Sequence, residues 1–162
     1  MARVLVLGVG NSLLTDDGAG VHAALRLRDR TGARPDVTIL DAGTLSFSLL
    51  SELGRADALI AIDAARGVGR PGDVRVCEGT EFDRFVQRSG RSVHEVGLSD
   101  LLDMARLSGQ LPQHRVLIGI EPQTIDWGLE LSPPVAAALP RCVAVALDFI
   151  DRWHPPQATD GH

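Results

Sequence analysis

Asp17, Asp63 and His94 are two carboxylates and an imidazole, side chains that together bind a divalent transition metal while leaving coordination positions open. They are scattered along the chain, with no HExxH pattern or Cys–His finger to group them. Their positions after apolar runs are more telling. Asp63 directly follows Leu59-Ile60-Ala61-Ile62, at the mouth of a buried strand, where a charge is costly unless paired or metal-bound. Capping the next turn accounts for it equally well. Asp16 and Asp17 open a helix, where one serves as N-cap or complements the dipole and only one faces the cleft. His94 lies within Ser92-Val93-His94-Glu95, a capping-box spacing that puts it in a first helical turn. The positive helix end favours the neutral, ligating imidazole there, although a surface or capping histidine fits the same position.

The elements that must position these residues alternate. Val4–Leu7, Val37–Leu40, Ala58–Ile62 and Val116–Ile120 are short continuous apolar runs, the pattern of strands buried on both faces of a parallel sheet. Gly72–Glu78 alternates Val74 and Val76 with Arg75 and Cys77, which predicts a half-exposed edge strand. Helical periodicity follows Asp17 (Val21, Ala24, Leu25, with a stop at Gly32) and Thr44 (Leu45, Leu49, Leu50, Leu53). It recurs after Ser92 (Val96, Leu101, Leu102, Ala105) and after the Ser132-Pro133 start (Val135, Leu139, Val143, Leu147, Ile150). Pro140 should kink that last helix. The expected fold is a three-layer α/β/α sandwich with a mostly parallel five-stranded sheet and one antiparallel edge strand. Residues 1–154 form one domain, and 155–162 are a polar, proline-containing tail. In such sheets ligands gather at the carboxyl ends of the strands. That rim would collect Gly8-Val9-Gly10-Asn11, Asp17, Asp41-Ala42-Gly43-Thr44 and Asp63.

Bulk properties narrow the function. The 162 residues are 44% hydrophobic and 23% charged, with a net charge of −5 and no block of one sign. That argues for a folded domain and against nucleic acid or an anionic membrane as partner. The apolar amino-terminal run is too short for a signal peptide, and no apolar stretch approaches the roughly 18 residues of a span. Cys77 and Cys142 read as reduced, buried thiols, consistent with the cytoplasm. Gly8-Val9-Gly10 lacks the third glycine of a dinucleotide fingerprint, Leu13 standing there, and no P-loop Lys-Ser/Thr follows. There is no GxSxG elbow.

The run LVLGVGNSLLTDDGAGVHAALRL resembles the amino-terminal signature of the hydrogenase maturation peptidases that process the large subunit of nickel–iron hydrogenases. The likeness continues through ILDAGTLSFSLL, LIAIDAARGVGRPGDV, SVHEVGLSDLLDMARLSG and VLIGIEPQTIDWGLELSPPV, over about residues 3 to 150. It implies an endopeptidase that removes a carboxy-terminal extension from the nickel-loaded large-subunit precursor. Asp17, Asp63 and His94 would contact the nickel carried by that substrate, with no cofactor bound permanently. The first of these positions is Glu in some members of the family. Asp41 or Asp17 would assist the cut, and Gly10, Asn11, Gly43 and Thr44 would line the substrate cleft, the Gly43 backbone stabilising the oxyanion. A cytoplasmic monomer is expected. A non-proteolytic metal-binding or chaperone-like protein, a nucleotide-binding α/β enzyme and a peptidase acting on another precursor are the other readings.

Overall fold

In the computed structural model, residues 3–43, 48–89 and 93–153 are described, with residues 88, 89 and 93–96 described by backbone alone. Strands β1 (Val4–Val9), β2 (Val37–Ala42), β3 (Ala58–Ala64) and β5 (His114–Ile120) pair in parallel, and β4 (Val74–Glu78) closes one edge antiparallel to β5. The sheet order is β2-β1-β3-β5-β4. The expected sandwich is therefore present. Helices α1 (Ala19–Thr31) and α5 (Pro133–Trp153) cover one face. Helices α2 (Ser48–Arg55), α3 (Thr80–Ser89) and α4 (Val93–Leu107) cover the other.

Strand alternation divides the core. Val4 and Val6 of β1, with Ile60 and Ile62 of β3 and Ile118 and Ile120 of β5, pack beneath α1 and α5. Leu5, Leu7, Leu59, Ala61 and Leu117 pack beneath the other three helices. Both faces are covered, so the central strands carry apolar residues at successive positions rather than at every second one.

Several expectations need correction. Helix α3 did not show in the sequence, because among its described side chains only Phe82 and Val86 are fully buried anchors in a charged stretch. It covers the edge strand and buries Cys77, in line with the buried thiol expected there. Leu25 points to solvent, and α1 buries Ala19, Ala23, Ala24 and Leu27 instead. Asp16 and Asp17 occupy a 3-10 turn (Thr15–Gly18), and the α-helix starts only at Ala19. Helix α5 runs from Pro133 to Trp153 with Pro140 inside it. Within it an 18-residue window reaches a mean hydropathy of 1.5, so by length and composition the helix could cross a membrane. Here Val135, Leu139, Val143, Ala146 and Ile150 are buried in the core beside α1. Thr44, Ser92 and the tail from residue 154 lie outside the described residues.

The seating of α1 on the sheet sets the height of the functional rim. A methyl group on Gly20 would lie 2.0 Å from the Ile62 carbonyl oxygen and 2.5 Å from that of Val9. Only glycine lets the helix start this close to the carboxyl ends of β1 and β3. Gly20→Ala is expected to lose about 1–3 kcal/mol of stability, the usual cost of overpacking. Urea unfolding checks this, and an unchanged midpoint would mean the helix is not seated against those carbonyls.

Candidate active site

Strand register delivers three of the expected residues to one edge. Gly8 pairs with Asp41 on one side and with Ile62, the neighbour of Asp63, on the other. Asp63 itself pairs with Gly119. Alternation sends Asp63 to the face covered by α2, α3 and α4, since Ile60 and Ile62 point the opposite way. Its side chain is 2% exposed.

The 3-10 turn brings in Asp17. Its carboxylate Oδ2 accepts the backbone N–H of Asn11 at 2.9 Å, so the acid faces the turn that follows β1. It is 8% exposed. The Asn11 side chain in turn accepts the N–H of Leu13 at 2.9 Å, which shapes the same loop. Gly10 has φ +129°, and a Cβ there would lie 1.9 Å from the carbonyl oxygen of Asp17. Glycine is therefore required for the close approach of these two segments. A Cβ on Gly43 would lie 3.2 Å from the Gly10 carbonyl oxygen, which puts the Asp41–Gly43 turn beside the same point.

Asp41 differs from the two buried acids. It is exposed, and its Oδ1 accepts the Gly43 N–H at 2.9 Å in an Asx-type turn. The Gly43 N–H expected to face an oxyanion is thus engaged by Asp41. His94 stands in the first turn of α4. That helix runs down to the amino edge of the sheet, where Gln110 meets Gly54 at the end of α2, so its first turn lies at the carboxyl rim. The His94 side chain is not among those described. Among the described residues no three acids, histidines or cysteines form a metal cluster, so the expectation that Asp17, Asp63 and His94 contact a metal rests on where the backbone places them.

No local pattern foretells what Asp16 does. This carboxylate is fully buried. Oδ2 accepts the N–H groups of Gln123 and Thr124, both at 2.9 Å, and the Ser132 hydroxyl at 2.7 Å. Oδ1 accepts the Ser132 N–H at 2.7 Å. Burial alone would raise its pKa, but the hydrogen bonds from Thr124, Ser132 and Gln123 outweigh burial and hold it below the usual 3.8. Thr15, with φ +46°, is held beside it by its N–H to the Gly128 carbonyl at 2.9 Å and its hydroxyl to the Thr124 carbonyl at 2.7 Å. The segment between β5 and α5 is therefore fastened to the loop that carries Asp17.

The match to known proteins now has a fold and a rim to stand on. The sequence model of the family described as hydrogenase maturation protease matches residues 21–149. The chain belongs to the hydrogenase maturation protease family. The protease is 37% identical over 152 residues to a hydrogenase expression/formation protein HupD of Bradyrhizobium diazoefficiens, covering 93% of this chain and 79% of that one. It is 35% identical to the hydrogenase 2 maturation protease of Escherichia coli over 85% of this chain and 84% of that one. Among solved structures, the hydrogenase maturating endopeptidase HybD of Escherichia coli superposes with a TM-score of 0.87 at 32% identity, with 93% of each chain covered. The protease is accordingly an endopeptidase, and its family acts on hydrogenase large-subunit precursors.

Because Asp16 is more acidic folded than unfolded, its stabilisation is present above pH ~4 and is lost as pH falls through its lowered native value. Asp16→Asn should destabilise the protease by about 2–5 kcal/mol at pH 7, because buried donors lose a charged acceptor. The gap between wild type and variant should stay level down to pH ~5 and narrow below pH ~4. Chemical denaturation across that range reads both.

Proposed function

We propose that the protease removes the carboxy-terminal extension of a nickel–iron hydrogenase large-subunit precursor in the cytoplasm, acting as a monomer and using the precursor's nickel to set the cut. The observation that carries this reading is the convergence of Asp17, Asp63 and the first turn of α4 on one carboxyl rim, beside the Asp41–Gly43 turn. Two carboxylates and an imidazole suit a borderline divalent metal and leave positions for the ligands that arrive with it. Nickel is in this reading part of the substrate, and the protease carries no resident cofactor.

Exposure divides the labour between the acids. Asp17 and Asp63 are buried at the rim and suit contact with a metal cation. Asp41 is open to solvent and suits the general base. It would take a proton from a water molecule as that water attacks the scissile carbonyl. The carbon–nitrogen bond then breaks, and the departing amine takes up the proton. Gly10, Asn11, Gly43 and Thr44 would line the path of the extension. Holding the scissile bond against the rim supplies proximity, which is worth several kcal/mol in well-oriented systems.

Nickel-loaded precursor should be cut and nickel-free precursor left whole, as read by gel mobility. His94→Ala should slow cleavage of the loaded precursor by about 100-fold or more, and cleavage at the normal rate would end the anchoring model. Asp41→Asn should lower kcat by about 100-fold with precursor affinity kept, in line with loss of general-base assistance. Equal loss of affinity and rate would make Asp41 a recognition residue instead.

A further inference from the structure

The segment between β5 and α5 carries apolar side chains that no part of the cleavage reading uses. Trp127 is 79% exposed, Leu129 67% and Leu13 53%. They come from distant parts of the chain but stand side by side. Leu14 and Gly128 form a parallel bridge, the Gly128 N–H donates to the Leu13 carbonyl at 2.9 Å, and the Thr15 N–H donates to the Gly128 carbonyl at 2.9 Å. Leu13 therefore flanks the glycine that separates Trp127 from Leu129.

A mobile loop bearing a tryptophan would mean little, but this one is braced. The Thr15 hydroxyl accepts the Asp126 N–H at 3.1 Å, and Asp16 holds Gln123, Thr124 and Ser132. Little backbone entropy is left to lose on binding, which favours affinity. Exposed tryptophan and leucine beside one another are unfavourable in water and are typical of the centre of a protein interface. Asp16 at the foot of this brace is the chain neighbour of Asp17, so the patch is continuous with the rim where the cut is set.

We propose that Leu13, Trp127 and Leu129 form a docking surface for the folded body of the large-subunit precursor, separate from the groups that meet its nickel and its scissile bond. This inference rests on the protease reading above. One feature favours the folded body over the flexible extension: the edge beside these side chains is already bridged, Leu14 to Gly128, whereas an extended peptide adds along a free strand edge. Charge adds a constraint. Residues 121–132 contain Glu121, Asp126 and Glu130 and no lysine or arginine, so the complementary surface is apolar with a basic margin. A second attachment point of this kind would orient the precursor about its metal and fix which peptide bond reaches the rim.

The test uses the full chain and a nickel-loaded precursor that the wild type cuts. Trp127→Ala combined with Leu129→Ser should raise KM at least about ten-fold and leave kcat within two-fold, as loss of an interface anchor does. Affinity for the mature large subunit, which keeps the folded body and lacks the extension, should fall by the same factor. Leu13→Glu, on the opposite strand, should act in the same direction, and thermal melting verifies that each variant is folded. Unchanged KM and unchanged affinity in folded variants would overturn the proposal. So would weaker binding of the precursor with normal binding of the mature subunit, which would give the patch to the extension. A wild-type dimer that the double variant dissolves would give it to a second copy and also overturn it. Failure of the wild type itself to cut the precursor would strike the protease reading first, and the docking surface with it.

Discussion

One buried carboxylate holds the functional end of this molecule together. Asp16 accepts four hydrogen bonds, three from backbone N–H groups and one from the Ser132 hydroxyl. Its donors lie more than 100 residues away in the chain. A charged acceptor with its bonds complete is stable in the interior, whereas an incomplete one is strongly destabilising. The arrangement is therefore close to all-or-none: either the segment after β5 closes over the loop after β1, or Asp16 is left buried without its donors. That constraint fixes the 3-10 turn, and the 3-10 turn fixes the direction of Asp17.

The rim that results sorts three acids by environment rather than by type. Asp63 ends a strand buried on both faces and stays almost wholly out of solvent. Asp17 is turned toward the Asn11 backbone by one N–H. Asp41 belongs to β2, whose pattern of exposure is mixed because it is the outer strand of the sheet on that side. Its carboxylate reaches solvent and folds back on the Gly43 N–H. A cation would find the first two acids at low dielectric and the third at high dielectric, which is the physical basis for giving them different tasks.

Glycine does much of the positioning. At Gly20 and Gly10 the α-carbon itself is the contact surface, against carbonyls of β1, β3 and Asp17. These contacts bring the helix start and the loop down onto the strand ends, and a side chain at either place would lift the site apart. The buried cysteines have no comparable part. Burial pushes the Cys142 thiol up to about 11, and burial likewise raises that of Cys77, so neither is an activated nucleophile.

Much of this was legible in the linear sequence. Continuous apolar runs marked the parallel strands, because strands covered on both faces need apolar residues at successive positions, and the alternating run marked the edge strand. Strand ends then pointed to Asp41 and Asp63, and the signature around Asp17 pointed to the family. Helix α3 escaped notice because its described buried side chains, Phe82 and Val86, stand in a charged segment. The neighbourhood of Leu13 with Trp127 and Leu129, and the task of Asp16, could not have been read locally. Both depend on contacts across more than 100 residues, which no periodicity or spacing records. The sequence by itself determined the layers, the strand ends and the residue types at the rim, because these follow from local pattern and burial. Which of two adjacent aspartates braces the molecule and which turns to the loop after β1 was settled only in three dimensions, by donors arriving from the far end of the chain.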